Sequence, residues 1–251
     1  MPARLRILLL YFLSWTLFFE AARIFFLVAQ WKLLQSLSVS SFFGTLWYGA
    51  RMDLSMAAYL TLPVSVFLLL SLVLPFFRRA IAFQLYTLLL LLPVLLLVVC
   101  DIEAFRQWGF RLDATLLKYL ASPAEAWASI SHLPVVGYSI LFLLLYTALA
   151  FGALRLLRRM AAPLRVRERW YVALPLLFVA TGALIIPLRG GLQQTPINQS
   201  SVYFSASNFA NQAALNVPWN FLFGIVSETA AGSETNPYNY MSRPEAQRIV
   251  D

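Results

Sequence analysis

The chain has 251 residues, of which 61% are hydrophobic and 12% are charged, and its formal net charge is +8. A soluble domain carries about twice that share of charged residues, so the composition excludes an ordinary soluble globular protein. The single cysteine, Cys100, excludes an internal disulfide and a multi-cysteine metal site. The single histidine, His132, has no second histidine at a metal-binding spacing.

Five apolar runs are long enough to cross a membrane. They cover residues 5–28, 54–77, 81–100, 134–154 and 171–188. Each is expected to be helical, because lipid cannot satisfy the hydrogen bonds of an exposed backbone. The first run is too long for a signal-peptide core, and no small-residue cleavage site follows it. The sequence therefore predicts an all-α membrane protein with five transmembrane helices, with kinks at Pro63, Pro93 and Pro175.

Arginine placement predicts the orientation of these spans. Arg4 and Arg6 precede the first span, and Arg78 and Arg79 join the second to the third. Six arginines between residues 155 and 169 join the fourth span to the fifth, whereas the alternate connections carry little net positive charge. Positive connections face the cytoplasm. The N-terminus is thus predicted to be cytoplasmic and the C-terminus extracytoplasmic.

The stretch after the fifth span, residues 189–223, is rich in amides and hydroxyls. Within it, residues 205–216 favour a short helix. Residues 217–226 are apolar but too short to span, which predicts a segment lying in the interface or packed on the bundle. The composition then becomes that of a linker, and a polar helix starts near Ser242. We divide the chain into a transmembrane domain (1–188), an extracytoplasmic interfacial segment (189–226), and a linker with the start of a truncated extracytoplasmic domain (227–251).

Charged residues gather at the predicted outer ends of the spans, and we consider six of them as candidates for a lipid-headgroup site: Glu20, Arg23, Asp53, Arg106, Arg111 and Arg189. In one interpretation, Glu20 pairs with Arg23 and the remaining side chains reach water. In the other, the six line a recess in which Arg106, Arg111 or Arg189 donates forked hydrogen bonds to a phosphate. Both interpretations remain open at this point.

Several kinds of site are excluded by what the sequence lacks. It contains no GxSxG, P-loop or HExxH motif, so we assign no catalytic residue. Asp101 and Glu103 form a lone carboxylate pair, which is insufficient for a metal site. The basic clusters lack interleaved aromatic residues, so nucleic acid is excluded as a partner, and the arginines between residues 155 and 169 suit an anionic membrane surface instead.

Two stretches carry a family resemblance. Residues 47–63, WYGARMDLSMAAYLTLP, contain a Gly-x-x-x-Asp-x-Ser pattern at the start of the second span. Residues 189–223 contain RGG at 189–191, PIN at 196–198 and AALN at 213–216. Together with the five-span layout, these resemble the N-terminal membrane domain of the lipoteichoic acid synthase family. That family comprises membrane-anchored phosphoglycerol and phosphoethanolamine transferases and related sulfatases of the alkaline phosphatase superfamily.

The resemblance implies an anchoring and orienting role in a bacterial cytoplasmic (inner) membrane. In the family, the nucleophile and the ligands of a divalent metal (Mn or Mg, or Zn or Ca) belong to an extracytoplasmic catalytic domain that this chain does not contain. No cofactor is therefore expected here. The implied partners are that missing C-terminal domain and a membrane lipid such as phosphatidylglycerol.

Two alternatives from other classes remain. One is a stand-alone membrane protein, either an assembly partner or a small-molecule transporter. A transporter would carry a polar pathway through mid-membrane, and the interiors of the second to fifth spans are almost free of ionisable residues. The other is a structural anchor without lipid selectivity, which the sequence does not separate from an enzyme's membrane domain.

Overall fold

The structure, a computed structural model, describes residues 2–117, 127, 134–165, 169–233 and 247–249. These ranges are helical and contain no strand, and five of their helices are long and apolar enough to cross a membrane. The predicted all-α, five-span architecture is thereby confirmed. The principal helices are α1 (Ala3–Ala29), α2 (Trp31–Leu34), α3 (Val39–Leu70), α4 (Ala80–Trp108), α5 (Val135–Ala161), α6 (Trp170–Ala183), α7 (Ile185–Leu188), α8 (Asn208–Ala214) and α9 (Val217–Ser233).

Three of the spanning helices, α3, α4 and α5, extend at one end past the apolar runs that predict them. α3 begins at Val39, where Ser38 accepts a hydrogen bond from the backbone N–H of Ser41 (3.1 Å). α4 continues to Trp108 and ends at Gly109, whose φ of 75° is the left-handed conformation that glycine adopts without strain. Hydropathy marks the part of a helix that lipid surrounds, whereas capping residues mark where the helix starts and stops. The extensions of α3 and α4 lie at the same end of the bundle, and both contact α1 there.

The core of the bundle is formed by α1, α3 and α4. α1 buries a stripe of large side chains spaced three, four or seven residues apart: Leu8, Tyr11, Trp15, Phe19 and Phe26. Facing it, α3 presents small residues such as Gly49, Ala57 and Ala58, which let the two backbones approach closely. Tyr11 also bonds to Thr87 of α4 (3.0 Å between hydroxyl oxygens).

The remaining spans lie outside this core. α5 packs on α4, where Gln84 Nε2 donates to the carbonyl of Leu154 (3.0 Å), and only Leu157, Met160 and Ala161 of α5 are buried. α6 and α7 lie beside α1 and α3. Exposed apolar side chains on spanning helices are the surface that lipid covers.

Residues 189–226, which we call the cap segment, fold back onto one end of the bundle, which we call the cap end. α8 begins at Ser207, whose Oγ accepts the N–H of Ala210, and is shorter than the predicted 205–216 because Leu215 is extended. Residues 213–220 are all buried. In the segment 217–226, residues 217–220 pack on the bundle, whereas Leu222, Phe223 and Val226 are exposed.

Candidate functional site

Charged side chains from three helices and one loop meet at the cap end. We call this group, which consists of Glu20, Arg23, Asp53, Asp101 and Arg111, the charged layer. Arg23 lies near the end of α1, Asp53 within α3, and Asp101 near the end of α4. The left-handed turn at Gly109 ends α4 and reverses the chain, so that Arg111 returns over Asp101.

The first pair in the charged layer joins α1 to α3. Arg23 Nη2 lies 2.6 Å from Asp53 Oδ1, and both side chains are buried, with 2% and 0% of their surface exposed. Arg23 Nη1 also donates to the carbonyl of Ala213 (2.8 Å), while its Nε lies 3.6 Å from Glu20 Oε2. Arg23 is thus shared between two carboxylates, and its shortest contact is with Asp53 rather than with its neighbour Glu20.

Asn216 connects this pair to the cap segment. Its Nδ2 donates to Asp53 Oδ1 (2.8 Å), and its Oδ1 accepts the backbone N–H of Trp219 (3.0 Å), as the N-cap of α9. The N-terminus of α9 therefore lies close to the Asp53 carboxylate, where the helix dipole favours negative charge. Trp219 Nε1 donates to Ser55 Oγ (3.1 Å), which in turn donates to the carbonyl of Leu188 (2.8 Å).

The second pair joins the end of α4 to the loop that follows. Arg111 Nε lies 2.8 Å from Asp101 Oδ2, and the other carboxylate oxygen accepts the N–H of Leu112 (2.8 Å). The Arg111 guanidinium carbon lies 3.8 Å from the centre of the Phe26 ring, a cation–π contact. Burial lowers the pKa of Arg111, and the Asp101 carboxylate opposes that shift. Asn220 of the cap segment donates to the carbonyl of Leu112 (3.1 Å), so this pair too is tied to the cap.

A small cavity of about 10 Å³, the size of one water molecule, lies between the two pairs. Arg23, Asp53, Asp101 and Arg111 all line it. Asp53 Oδ2 and Arg111 Nη1 are buried and have no hydrogen-bond partner among the described residues. A buried polar atom left unpaired costs free energy. The cavity is too small for a phosphate.

The structure brings together four of the six sequence-predicted candidates, Glu20, Arg23, Asp53 and Arg111, and leaves the other two apart from them. Arg106 is half-exposed and bonds to Glu103 (3.2 Å) and to the hydroxyl of Tyr138 (2.9 Å). Arg189 closes its own turn by donating to the carbonyl of Gln194 (2.8 Å). The three arginines considered as phosphate donors therefore do not share one recess within the described ranges.

A wider opening reaches the charged layer from the side. This aromatic groove has a volume of about 580 Å³ and is lined by Glu20, Ser40, Phe43, Trp47 and Tyr48, among others. Trp47 is 78% exposed, and Tyr48 stacks on Phe204 of the cap segment with ring centres 4.9 Å apart. An exposed tryptophan at the end of a span is typical of the membrane interface.

Sequence reasoning missed Asn216, Ser55 and Trp219 as members of the site. A signal was present, because Asn216 and Ser55 both lie in the stretches that carry the family resemblance. Asn216 also precedes Pro218, and asparagine shortly before proline marks a helix start. In the described ranges, no three His, Cys, Asp or Glu side chains are grouped closely enough to hold a metal ion.

Replacing Gly49 with alanine is expected to destabilise the protein by about 1–3 kcal/mol, because the added Cβ would meet the guanidinium of Arg23. The matched control is Gly152→Ala on α5. There, no described atom outside the helix backbone lies within 4 Å of the position that the added Cβ would take. Alanine there is expected to be neutral or slightly stabilising. Unfolding by SDS titration in mixed micelles measures both variants, and equal midpoints would contradict the close fit at Gly49.

The family resemblance depends on the sequence motifs, because the comparisons with known proteins found no match. No protein-family model, curated protein or solved structure matches the chain.

Proposed function

We propose that the chain is the membrane domain of a lipoteichoic-acid-synthase-like phosphoglycerol or phosphoethanolamine transferase, or of a related sulfatase. In this role, it anchors a metal-dependent catalytic domain that follows the cap segment. It also fixes the orientation of that domain at the outer face of a bacterial cytoplasmic membrane. The catalytic residues and the divalent metal belong to the following domain, and the membrane part contributes position.

The observation that supports this role best is the burial of residues 213–220 in the cap end. An ordinary tether between a span and a soluble domain is exposed and polar. Here, Asn216 and the carbonyl of Ala213 are bound by Asp53 and Arg23, which are themselves buried. These buried contacts are not needed for anchoring, which the five spans already provide. They do fix the direction in which the chain leaves the membrane.

A contact with the lipid substrate forms the second part of the proposal, and the aromatic groove is its location. The groove combines the Glu20 carboxylate with interfacial aromatic rings, and its volume is sufficient for a lipid headgroup. Arg23 contacts both Glu20 and Asp53, so carboxylates of the protein already balance its positive charge. This favours a headgroup with a hydroxyl or ammonium group over a bare phosphate.

The proposal predicts that the native product transfers the headgroup of labelled phosphatidylglycerol or phosphatidylethanolamine, and that EDTA abolishes and Mn²⁺ restores the transfer.

A protease site inserted after Ser233, tested in proteoliposomes, separates anchoring from chemistry. Cleavage is expected to leave hydrolysis of a soluble phosphodiester unchanged but to lower transfer from lipid by about tenfold or more, because the effective substrate concentration is lost. Transfer that survives cleavage would contradict the anchoring role. Absence of metal-dependent transfer would exclude both transferases, and absence of metal-dependent sulfate-ester hydrolysis as well would contradict the enzyme class.

A further inference from the structure

A second opening lies at the end of the bundle opposite the cap. It has a volume of about 1030 Å³ and lies between the turn Pro75–Arg78, the first turn of α4 and the last turns of α5. Arg78, Arg79, Gln84 and Arg158 supply the polar side chains of its lining. We call this opening the arginine groove.

The charged side chains that line the arginine groove are all positive. Among the described residues, those that line it include three arginines and no carboxylate. Arg78 is held in place, because its Nε donates to the carbonyl of Ser71 (2.8 Å) and its Nη2 to that of Leu72 (2.9 Å). One edge of this guanidinium is thus fixed by the protein. Planar, oriented guanidinium groups bind phosphate by forked hydrogen bonds.

The start of α4 reinforces this preference. α4 has 29 residues, and in the described structure no side chain caps its N-terminus. The first N–H groups of a helix have no partner within the helix and favour an anion. Ala80 and Ile81 of this first turn line the groove together with the arginines. The helix end therefore adds to a positive site that the arginines already form.

The surroundings of the arginine groove distinguish a lipid from a soluble anion. Beyond the groove, the outer surface of α4 continues with the exposed apolar side chains Leu85 and Leu89, and Phe76 is exposed on the adjoining turn. On a spanning helix such side chains face lipid, so the groove opens beside the acyl chains of the bilayer. A phospholipid places its phosphate at the arginines and its acyl chains along this surface. Basic pockets between transmembrane helices bind anionic lipid headgroups.

We propose that the arginine groove binds the phosphate headgroup of an anionic glycerophospholipid between α4 and α5. The bound phosphate joins Arg78 and Arg79, which precede α4, to Arg158 on α5. α5 packs mainly on α4 and is little buried elsewhere, so the lipid supplements the contacts that hold it to the bundle. This site is separate from the cap end and does not depend on the proposed catalytic role.

The test compares two triple variants with the same loss of charge. Arg78→Gln/Arg79→Gln/Arg158→Gln removes the groove arginines. Arg6→Gln/Arg155→Gln/Arg159→Gln removes arginines that lie at the same end but do not line the groove. Native mass spectrometry of the chain released from micelles containing phosphatidylglycerol and phosphatidylcholine measures the retained lipid. The groove variant is expected to retain phosphatidylglycerol about tenfold less than the control variant.

Three results would overturn the proposal. Equal losses in the two variants would indicate attraction by net charge alone, and retention of phosphatidylcholine as strong as that of phosphatidylglycerol would remove the role of charge. Binding of soluble glycerol 3-phosphate as tight as that of the lipid would assign the groove to a soluble anion. Because Arg78 also supports the turn after α3, the double variant Arg79→Gln/Arg158→Gln repeats the test with that support intact. Its retention of phosphatidylglycerol is also expected to fall below that of the control.

Discussion

Replacing Asp53 with alanine is expected to lower the free energy of unfolding by about 3–5 kcal/mol. The Arg23 guanidinium would remain buried with its closest counter-charge removed, and Asn216 would lose the acceptor that ties α9 to α3. SDS titration in mixed micelles measures the loss of stability. Hydrogen exchange of the backbone between residues 208 and 220 is expected to accelerate, because Arg23 and Asp53 hold the cap segment by hydrogen bonds to Ala213 and Asn216.

Two further variants make the Asp53 result specific. Arg23→Met/Asp53→Leu removes both charges and is expected to recover most of the stability, since an apolar pair often replaces a buried ion pair at little cost. Arg106→Ala breaks an ion pair whose arginine side chain is 44% exposed and is expected to cost about 1 kcal/mol or less. If the double variant is as unstable as Asp53→Ala, the loss comes from packing and from the missing Asn216 hydrogen bond rather than from an unpaired charge.

In the Asp101–Arg111 pair, removing Asp101 is expected to lower the free energy of unfolding more than removing Arg111. Asp101→Ala leaves Arg111 buried against Phe26, and a guanidinium stays protonated even where burial lowers its pKa. This variant is expected to lose about 3–5 kcal/mol of stability. Arg111→Met leaves a carboxyl group that can become neutral by binding a proton and that keeps the N–H of Leu112 as a donor. Its expected loss is about 1–3 kcal/mol.

The same SDS titration measures this order, with Asp101→Asn as an intermediate that keeps the shape of the side chain. An Arg111→Met variant less stable than Asp101→Ala would contradict the expectation. It would mean that the cation–π contact and the packing of the arginine stem on Phe26 outweigh the charge pairing. A thermal melt in lipid nanodiscs checks that the order does not arise from the detergent.

The pairing at the cap end lets the protein hold a polar, amide-rich segment inside a membrane bundle. Asp53 accepts from Arg23 and Asn216, Asp101 accepts from Leu112 and forms an ion pair with Arg111, and each pair is bonded to the cap segment by a further contact. Buried charges are tolerated when each has an opposite charge beside it, as both pairs do here. The charged layer therefore joins the cap segment to α1, to α3 and to the loop after α4.

The sequence by itself determined the number of spans and their helical character. Lipid requires each spanning segment to satisfy its own backbone, so a run of about twenty apolar residues is sufficient to specify a helix. It also indicated that Glu20, Arg23, Asp53 and Arg111 belong to one end of the bundle, because each lies near the same end of its span. The bounds of α3 and α4 were harder to predict, because Ser38 and Gly109 act through local backbone geometry that hydropathy does not register.

Only the tertiary structure decided which charges meet. Arg23 has Glu20 three residues away on its own helix, yet its shortest contact is with Asp53 on another helix. Arg106 and Arg189 are the same residue type as Arg111, yet Arg106 bonds to Glu103 and Tyr138, and Arg189 bonds within its own turn. These choices depend on how the helices are rotated about their axes and where they cross, and on the cap segment that fills the space between them. Rotation and crossing are set by contacts between residues distant in the chain, so no local pattern of residues encodes them.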